Sequence, residues 1–204
     1  MGREIEIKIP LTDDEYNKLF DFVNGRAAFE GVGLESGVPE RIFKSDEYYS
    51  RYNTREESKA AGDPQVIRIR SEKTDNITNE RSFFCIKRKS IENGIELNRE
   101  DETFIENADV VRDLLGFSGY HKFFEKKKDA LGVHCETALL PGADFHLELE
   151  IVNNLKYVEI EVTEEREAAD TVRAALEKFV ALFDLDAAKR DSRSWMEIIN
   201  GGAE

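Results

Sequence analysis

The sequence predicts an α+β fold in which about eight antiparallel strands close into a barrel, a tunnel with a charged interior and helices packed outside. The first observation is alternation: segments along the whole chain place charged residues on one strand face and aliphatic residues on the other. The second is sign, because some strands carry carboxylates and others carry lysine or arginine. The third is that helices are available to cover the aliphatic faces, which turns the charged faces inward.

Length and composition limit the class of protein. With 204 residues, 40% of them hydrophobic and 35% charged, the chain is expected to form one domain over residues 1–204. It has no apolar run close to the roughly 20 residues of a membrane span. It also has no secretory apolar core at its start and two cysteines without a disulfide framework. We therefore expect a cytoplasmic protein with no membrane partner.

The net charge of −14 bears on the binding partners. It argues against general nucleic-acid binding, which needs a positive surface. A small polyanion bound in a local basic pocket remains compatible with it. The many carboxylates also suit divalent cations, since hard cations prefer oxygen ligands.

The first strand, residues 3–10, alternates charged residues with isoleucines. A helix is predicted after it, because Thr12 is a suitable N-cap and Gly25 a suitable helix end. The charged face of the strand carries Glu4, Glu6 and Lys8.

Four further strands are predicted at 44–49, 65–73, 82–89 and 95–104, with loops over 26–41 and 53–64. The charged faces of the last three carry, in chain order, Arg68 and Arg70, Lys87 and Lys89, and Glu100 and Glu102. In the strand at 95–104, Arg99 and Asp101 form a second charged face, so the sequence does not decide which of the two faces points inward. Cys85 shares the face of Lys87 and is interpreted as a small space-filler.

The C-terminal half adds three strands, at 120–129, 144–152 and 157–163, between helices at 107–117, 164–185 and 191–200. Their charged faces carry Lys126 and Lys128, then His146, Glu148 and Glu150, then Glu159 and Glu161. His121 and His134 are predicted to be surface residues. His146 lies on a charged face, and its role stays open.

A charged interior needs an explanation. Burying many charges for stability alone makes poor physical sense, because desolvation usually cancels the Coulomb gain. A ligand that supplies the opposite charges explains it better: phosphates for the cations, and Mg²⁺ or Mn²⁺ for the carboxylates. The alternative is that each strand shows one face to solvent, but that would not require two basic residues in phase on three separate strands.

A series of motifs in this order resembles the CYTH superfamily, the triphosphate tunnel metalloenzymes, and nearly the whole chain takes part. The signature Glu-x-Glu-x-Lys is present as Glu4, Glu6 and Lys8. Similar to later family motifs are Asp46-Glu47-Tyr48-Tyr49, Ile67-Arg68-Ile69-Arg70, Ile86-Lys87-Arg88-Lys89, Glu125-Lys126-Lys127-Lys128, residues 155–161, and residues 192–199 with Trp195. Lys128 stands where the family has arginine. Among the branches of this superfamily, the motifs most resemble those of the class IV adenylyl cyclases.

The resemblance implies roles for these residues. Glu4, Glu6 and Lys8 would belong to the catalytic centre. The triphosphate would be bound by Lys8, Arg68, Arg70, Lys87, Lys89, Lys126 and Lys128. Mg²⁺ or Mn²⁺ would be held by Glu4, Glu6, Glu100, Glu102, Glu150, Glu159 and Glu161.

The resemblance leaves three functions open. A triphosphatase, hydrolysing a nucleoside triphosphate or tripolyphosphate, is slightly favoured. A class IV adenylyl cyclase, making cyclic AMP and pyrophosphate from ATP, is the alternative; such cyclases usually carry a His-Phe pair where Met1-Gly2-Arg3 stands here. A non-catalytic polyphosphate-binding module is the third, although binding alone would not need the carboxylates. The oligomeric state, with a homodimer among the options, also stays open.

Overall fold

The structure is a computed structural model that describes residues 4–35, 38–63, 65–75, 80–92, 95–163 and 168–201. Within these ranges, the side chains of Glu4 and of residues 89–92 and 95–99 are not described. The predicted roles of the Glu4 and Lys89 side chains therefore lie outside the described residues.

The described chain forms nine strands and five α-helices. The strands are β1 (Glu4–Pro10), β2 (Gly33–Leu34), β3 (Glu40–Ser50), β4 (Val66–Thr74), β5 (Arg81–Glu92), β6 (Ile95–Ile105), β7 (His121–Glu136), β8 (Phe145–Val152) and β9 (Leu155–Thr163). The helices are α1 (Asp13–Val23), α2 (Arg55–Ala60), α3 (Ala108–Phe117), α4 (Ala169–Leu182) and α5 (Trp195–Gly201), with a 3₁₀ turn at Ala187–Lys189.

All strand pairs are antiparallel and belong to one sheet, in the order β2-β7-β3-β4-β5-β6-β1-β9-β8. Strand β8 pairs in addition with β7, from Lys128 opposite Val152 to Cys135 opposite Phe145. The α+β antiparallel fold is confirmed, whereas the predicted count of eight strands misses the two-residue β2. Strand β7 also runs seven residues beyond the predicted end at 129, because its C-terminal part pairs with both β2 and β8.

The aliphatic faces lie under helices, as predicted. Residues of β1, β8 and β9 form one apolar core with α1 and α4, and they include Ile5, Ile7, Leu147, Leu149, Val158 and Ile160. Ile67 and Ile69 of β4 pack in a second cluster with Leu115 of α3. Because side chains alternate along a strand, this placement turns the charged residues to the opposite side of the sheet.

Local sequence explains where the helices begin and end. Thr12 and Glu15 form a capping box at the start of α1, and Asn107 accepts hydrogen bonds at the start of α3. Helix α2 lies inside a segment predicted as a loop, and Thr54 caps it. None of the helices in the described ranges is long and apolar enough to cross a membrane.

Candidate active site

Eight of the nine strands contribute side chains to one cavity of about 610 Å³. Its lining contains most of the side chains that the sequence predicted to face inward: Glu6, Lys8, Arg68, Arg70, Lys87, Glu100, Glu102, Lys126, Lys128, Glu148, Glu159 and Glu161. Glu150 is fully buried immediately beside this lining, in contact with Lys128. The alternation of charged and aliphatic residues therefore gave the correct inward face on β1, β4, β5, β7, β8 and β9. On β6 it had left two faces open, and on β3 it assigned none.

One side of the cavity is basic, and Asp46 of β3 organises it. Asp46 is fully buried and receives two hydrogen bonds from Arg70, at 2.7 Å to Oδ1 and 3.1 Å to Oδ2. Lys126 Nζ lies 3.4 Å from the same carboxylate, and Arg68 Nη1 lies 4.0 Å away. Burial alone would raise the pKa of Asp46, but the three cations hold it well below its usual value. Asp46 is thus a permanent anion that orients three cations.

The basic side continues across β4, β5 and β6. Arg68 Nη2 donates to Glu100 at 3.0 Å and to Glu102 at 3.2 Å, and Lys87 Nζ lies 2.9 Å from Glu100. Burial opposes ionisation of Glu100, yet Lys87 and Arg68 lower its pKa to about 2. Asp101 pairs with Arg88 instead, which resolves the open register in favour of Glu100 and Glu102. We call Arg68, Arg70, Lys87 and Lys126 the basic wall.

Another part of the site contains a buried group of carboxylates around one lysine. Lys128 Nζ contacts Glu148, lies 2.5 Å from Glu150 and 2.9 Å from Glu159. Lys44 Nζ bonds to the other oxygen of Glu148 at 2.8 Å. Burial, together with the nearby charge of Glu159, raises the pKa of Glu150 to about 7. We call Glu148, Glu150 and Glu159 the acidic cluster.

The acidic cluster has the chemistry of a divalent-cation site. One carboxylate oxygen from each member lies within 4.8 Å of the others, and carboxylate oxygens are the ligands that Mg²⁺ and Mn²⁺ prefer. Neither oxygen of Glu150 has a hydrogen-bond partner among the described residues, although Lys128 Nζ lies 2.5 Å from Oε2. A buried carboxylate left in this state indicates a missing partner. The residues present therefore fit a bound divalent cation.

A second group of candidate ligand atoms consists of Cys85, Glu100 and Glu102. Burial raises the pKa of the Cys85 thiol to about 12, so the thiolate that metals bind is disfavoured. Cys85 Sγ lies 3.4 Å from Glu100 and fills space beside Arg68, in agreement with its predicted role.

Two histidines border the cavity next to the acidic cluster. His146 Nδ1 lies 3.3 Å from Glu161, and His134 Nδ1 lies 2.8 Å from Asp144; the two rings are 4.8 Å apart. Burial lowers the pKa of His146, but the bond to Glu161 and the charge of Glu148 raise it overall. His134 is exposed, as predicted, yet it belongs to the cavity lining.

Lys8 connects the first strand with the C-terminal segment. Its Nζ donates to the carbonyl of Arg193 at 2.7 Å and lies 5.1 Å from the ring centroid of Trp195. On the neighbouring strand, Glu159 stands opposite Lys8 and Glu161 stands opposite Glu6. The Glu-x-Glu-x-Lys pattern thus places its last two charges directly beside the carboxylates of β9.

Sequence reasoning assigned no site role to several side chains of the lining. Lys44 and Tyr48 are in phase with Asp46 on β3, so alternation could have found them and Asp46. The other side chains belong to helices, and the helical periodicity of a sequence does not indicate which residue reaches a cavity. These residues are Arg55, Lys59, Trp195, Met196 and Glu197.

Comparison with known proteins gives a match of fold. No protein-family model matches the chain, and no curated protein matches its sequence. Among solved structures, a protein from Pyrococcus horikoshii superposes with a TM-score of 0.69 at 20% identity, covering 98% of this chain and 99% of its own. A candidate adenylate cyclase from Vibrio parahaemolyticus gives 0.65 at 18% identity, covering 98% of both chains. A candidate adenylyl cyclase from Hippeastrum, described with a dominant triphosphatase activity, gives 0.61 at 14% identity, covering 99% of this chain and 96% of its own.

Proposed function

From the CYTH-type triphosphate tunnel fold of this chain we propose that it is a divalent-metal-dependent enzyme that acts on a triphosphate, with hydrolysis favoured over cyclisation. The observation that carries the proposal is the composition of the cavity. One cavity of about 610 Å³ adjoins both a basic wall suited to phosphate oxygens and an acidic cluster suited to a divalent cation. A polyphosphate with its metal supplies the opposite charge to both sides at once.

In this proposal the basic wall binds the phosphate chain. Arg68 and Arg70 are oriented by carboxylates, and a guanidinium can donate two hydrogen bonds to one phosphate group. Their orientation exists before a ligand arrives, which reduces the entropy lost on binding. The proposed set of phosphate-binding residues is Lys8, Arg68, Arg70, Lys87, Lys89, Lys126 and Lys128.

Carboxylates from several strands hold the cation. The proposed ligand set is Glu4, Glu6, Glu100, Glu102, Glu150, Glu159 and Glu161, with Glu148 added by its place in the acidic cluster. When bound, Mg²⁺ or Mn²⁺ would polarise phosphoryl oxygens and lower the pKa of a bound water. Lys128, which neutralises part of the cluster, is close enough to contact the same phosphates. In hydrolysis, water adds to the terminal phosphorus, the bond to the bridging oxygen breaks, and orthophosphate leaves.

Hydrolysis is favoured because the described lining has few apolar groups that could bind the base and ribose of a nucleoside. Cyclisation requires that an adenosine be held so that its ribose 3′-hydroxyl reaches the α-phosphorus. The lining is mostly charged, and the ring of Trp195 in it already has the ammonium groups of Lys8 and Lys126 within 5.4 Å of its centroid. The triphosphatase activity described for the Hippeastrum protein of the same fold agrees with this preference.

Product analysis with Mg²⁺ or Mn²⁺ tests the proposal. The protein is incubated with ATP or with tripolyphosphate, and orthophosphate, pyrophosphate and cyclic AMP are measured. Orthophosphate supports the hydrolase, and cyclic AMP with pyrophosphate supports the cyclase. Binding without any product would leave a polyphosphate-binding module and contradict an enzyme.

A matched pair of variants shows whether the products come from this cavity. Lys87 belongs to the basic wall, while its neighbour Arg88 points to the other face of β5 and pairs with Asp101. Lys87→Gln should reduce turnover at least tenfold, because it removes a cation at the phosphates. Arg88→Gln should leave turnover within twofold of the wild type.

A further inference from the structure

The inference concerns Trp195, the first residue of α5 and the single tryptophan in the chain. Its ring is buried against Tyr157, with the ring centroids 4.9 Å apart, and it packs in a small apolar cluster with Ile198 and Val152. The same ring belongs to the lining of the cavity. Trp195 therefore contacts both the apolar cluster and the charged groups.

The indole fixes one carboxylate of the acidic cluster. Trp195 Nε1 donates to Glu159 Oε1 at 3.0 Å, while Glu159 Oε2 accepts from Lys128 at 2.9 Å. An indole N–H can only donate a hydrogen bond, and the packing around the buried ring fixes its orientation. The hydrogen bond therefore fixes the position of Glu159 Oε1. A partner of this kind behind a metal-binding carboxylate orients the carboxylate and affects metal affinity.

The face of the indole holds two ammonium groups of the proposed phosphate site. Lys8 Nζ lies 5.1 Å and Lys126 Nζ lies 5.4 Å from the ring centroid. Both distances are within the range in which an aromatic quadrupole attracts a cation. Because both lysines are almost fully buried, the ring replaces part of the hydration that their charges have lost.

We propose that Trp195 is a positioning residue of the site: its N–H aims Glu159 at the divalent cation, and its ring holds Lys8 and Lys126 in place for the phosphates. The inference rests on the proposed metal and polyphosphate site. It makes the C-terminal helix α5 a part of that site rather than only a cover over the apolar cluster.

The first test measures Mn²⁺ binding by the metal-free protein, from the electron paramagnetic resonance signal of free Mn²⁺. Trp195→Phe keeps an aromatic ring and removes the N–H. Ile198→Val perturbs the same apolar cluster without touching Glu159. Trp195→Phe should weaken Mn²⁺ binding about tenfold or more, the scale for losing the partner behind a metal ligand. Ile198→Val should bind Mn²⁺ within twofold of the wild type.

The second test uses the fluorescence of the single tryptophan, which needs no activity. Wild-type emission should change saturably with Mn²⁺, which binds at the hydrogen-bond partner of the indole. It should change separately with tripolyphosphate, which draws Lys8 and Lys126 toward its own charge. In turnover assays, the loss caused by Trp195→Phe should be reversed by raising the Mn²⁺ concentration.

The outcomes separate this inference from the proposed function. If the wild type binds Mn²⁺ and Trp195→Phe binds it equally well, or both variants lose affinity equally, the positioning role is overturned. Emission that stays constant while Mn²⁺ binds also overturns it. If the wild type binds Mn²⁺ with the predicted difference between variants but shows no turnover, only the proposed enzyme fails. A wild type that binds no Mn²⁺ overturns both.

Discussion

Glu150→Gln should make the metal-free protein more stable at pH 8. Glu150 is fully buried, and its pKa is raised from 4.5 to about 7, so its negative charge is unfavourable in the folded state. The rise of the Glu150 pKa from 4.5 to about 7 corresponds to a loss of about 3 kcal/mol in the free energy of unfolding when Glu150 is ionised, at about 1.4 kcal/mol for each pKa unit. Glutamine keeps the shape and an oxygen that can accept from Lys128, and it removes the charge.

The dependence on pH gives the sign of the effect. In the unfolded chain Glu150 ionises near 4.5, whereas in the folded protein it keeps its proton up to about pH 7. The wild type therefore loses stability as pH rises through this interval and loses no more above it. The gain from Glu150→Gln should be about 3 kcal/mol at pH 8 and about 1 kcal/mol at pH 5.5.

Urea unfolding with a chelator, at both pH values, measures this gain. Glu148→Gln is the matched control two residues away: burial opposes its charge, but Lys128 and Lys44 hold its pKa well below the usual value. Its removal should therefore lower stability at pH 8. Mg²⁺ should stabilise the wild type more than Glu150→Gln, since a ligand of the native state stabilises by mass action. If Glu150→Gln is as destabilising as Glu148→Gln, the reasoning about a missing cation is refuted.

Four further variants, the last of them a control, test other parts of the structure. Glu6→Gln should abolish turnover and weaken the thermal protection by Mg²⁺ or Mn²⁺; normal turnover with full protection would make this carboxylate structural. Arg70→Ala should weaken tripolyphosphate binding by about 2–4 kcal/mol in a calorimetric titration, and unchanged affinity would remove it from the site. Gly132→Ala places a Cβ 3.0 Å from His146 Nε2 and should cost about 1–3 kcal/mol in urea unfolding. Gly116→Ala, whose Cβ meets nothing within 4 Å, is the control, and equal costs would contradict the steric argument.

Much of the charged cavity could be predicted from the sequence, because alternation along a strand is a local property. Arg68 and Arg70 had to share a face, and Ile67 and Ile69 had to face the other way. The length of β7 was harder to predict. Its continuation beyond Asp129 depends on pairing with β8, which lies on the far side of a turn.

The contacts that organise the site could not be predicted, since they depend on distances between elements. Asp46 has the right phase, but only the structure shows that three cations converge on it. Trp195 lies in a short helix whose sequence does not indicate that one ring edge bonds to Glu159. Such contacts depend on how helices pack against the sheet, and short-range patterns do not specify that packing.

The position of β1 in the sheet has a consequence for biosynthesis. This strand is synthesised before the other eight described strands, yet its partners are β6 and β9, and the backbone N–H of Asp191 also donates to the carbonyl of Lys8. Glu6 cannot meet Glu161 until the ninth strand has been synthesised, so the site is completed last. Contacts so distant in sequence make folding slow, and the isoleucines of β1 remain without their core in the meantime. The nascent chain thus carries an amphipathic strand whose β9 partner and apolar core are missing until β9 and α4 have been synthesised, the interval in which a chaperone would protect it from aggregation.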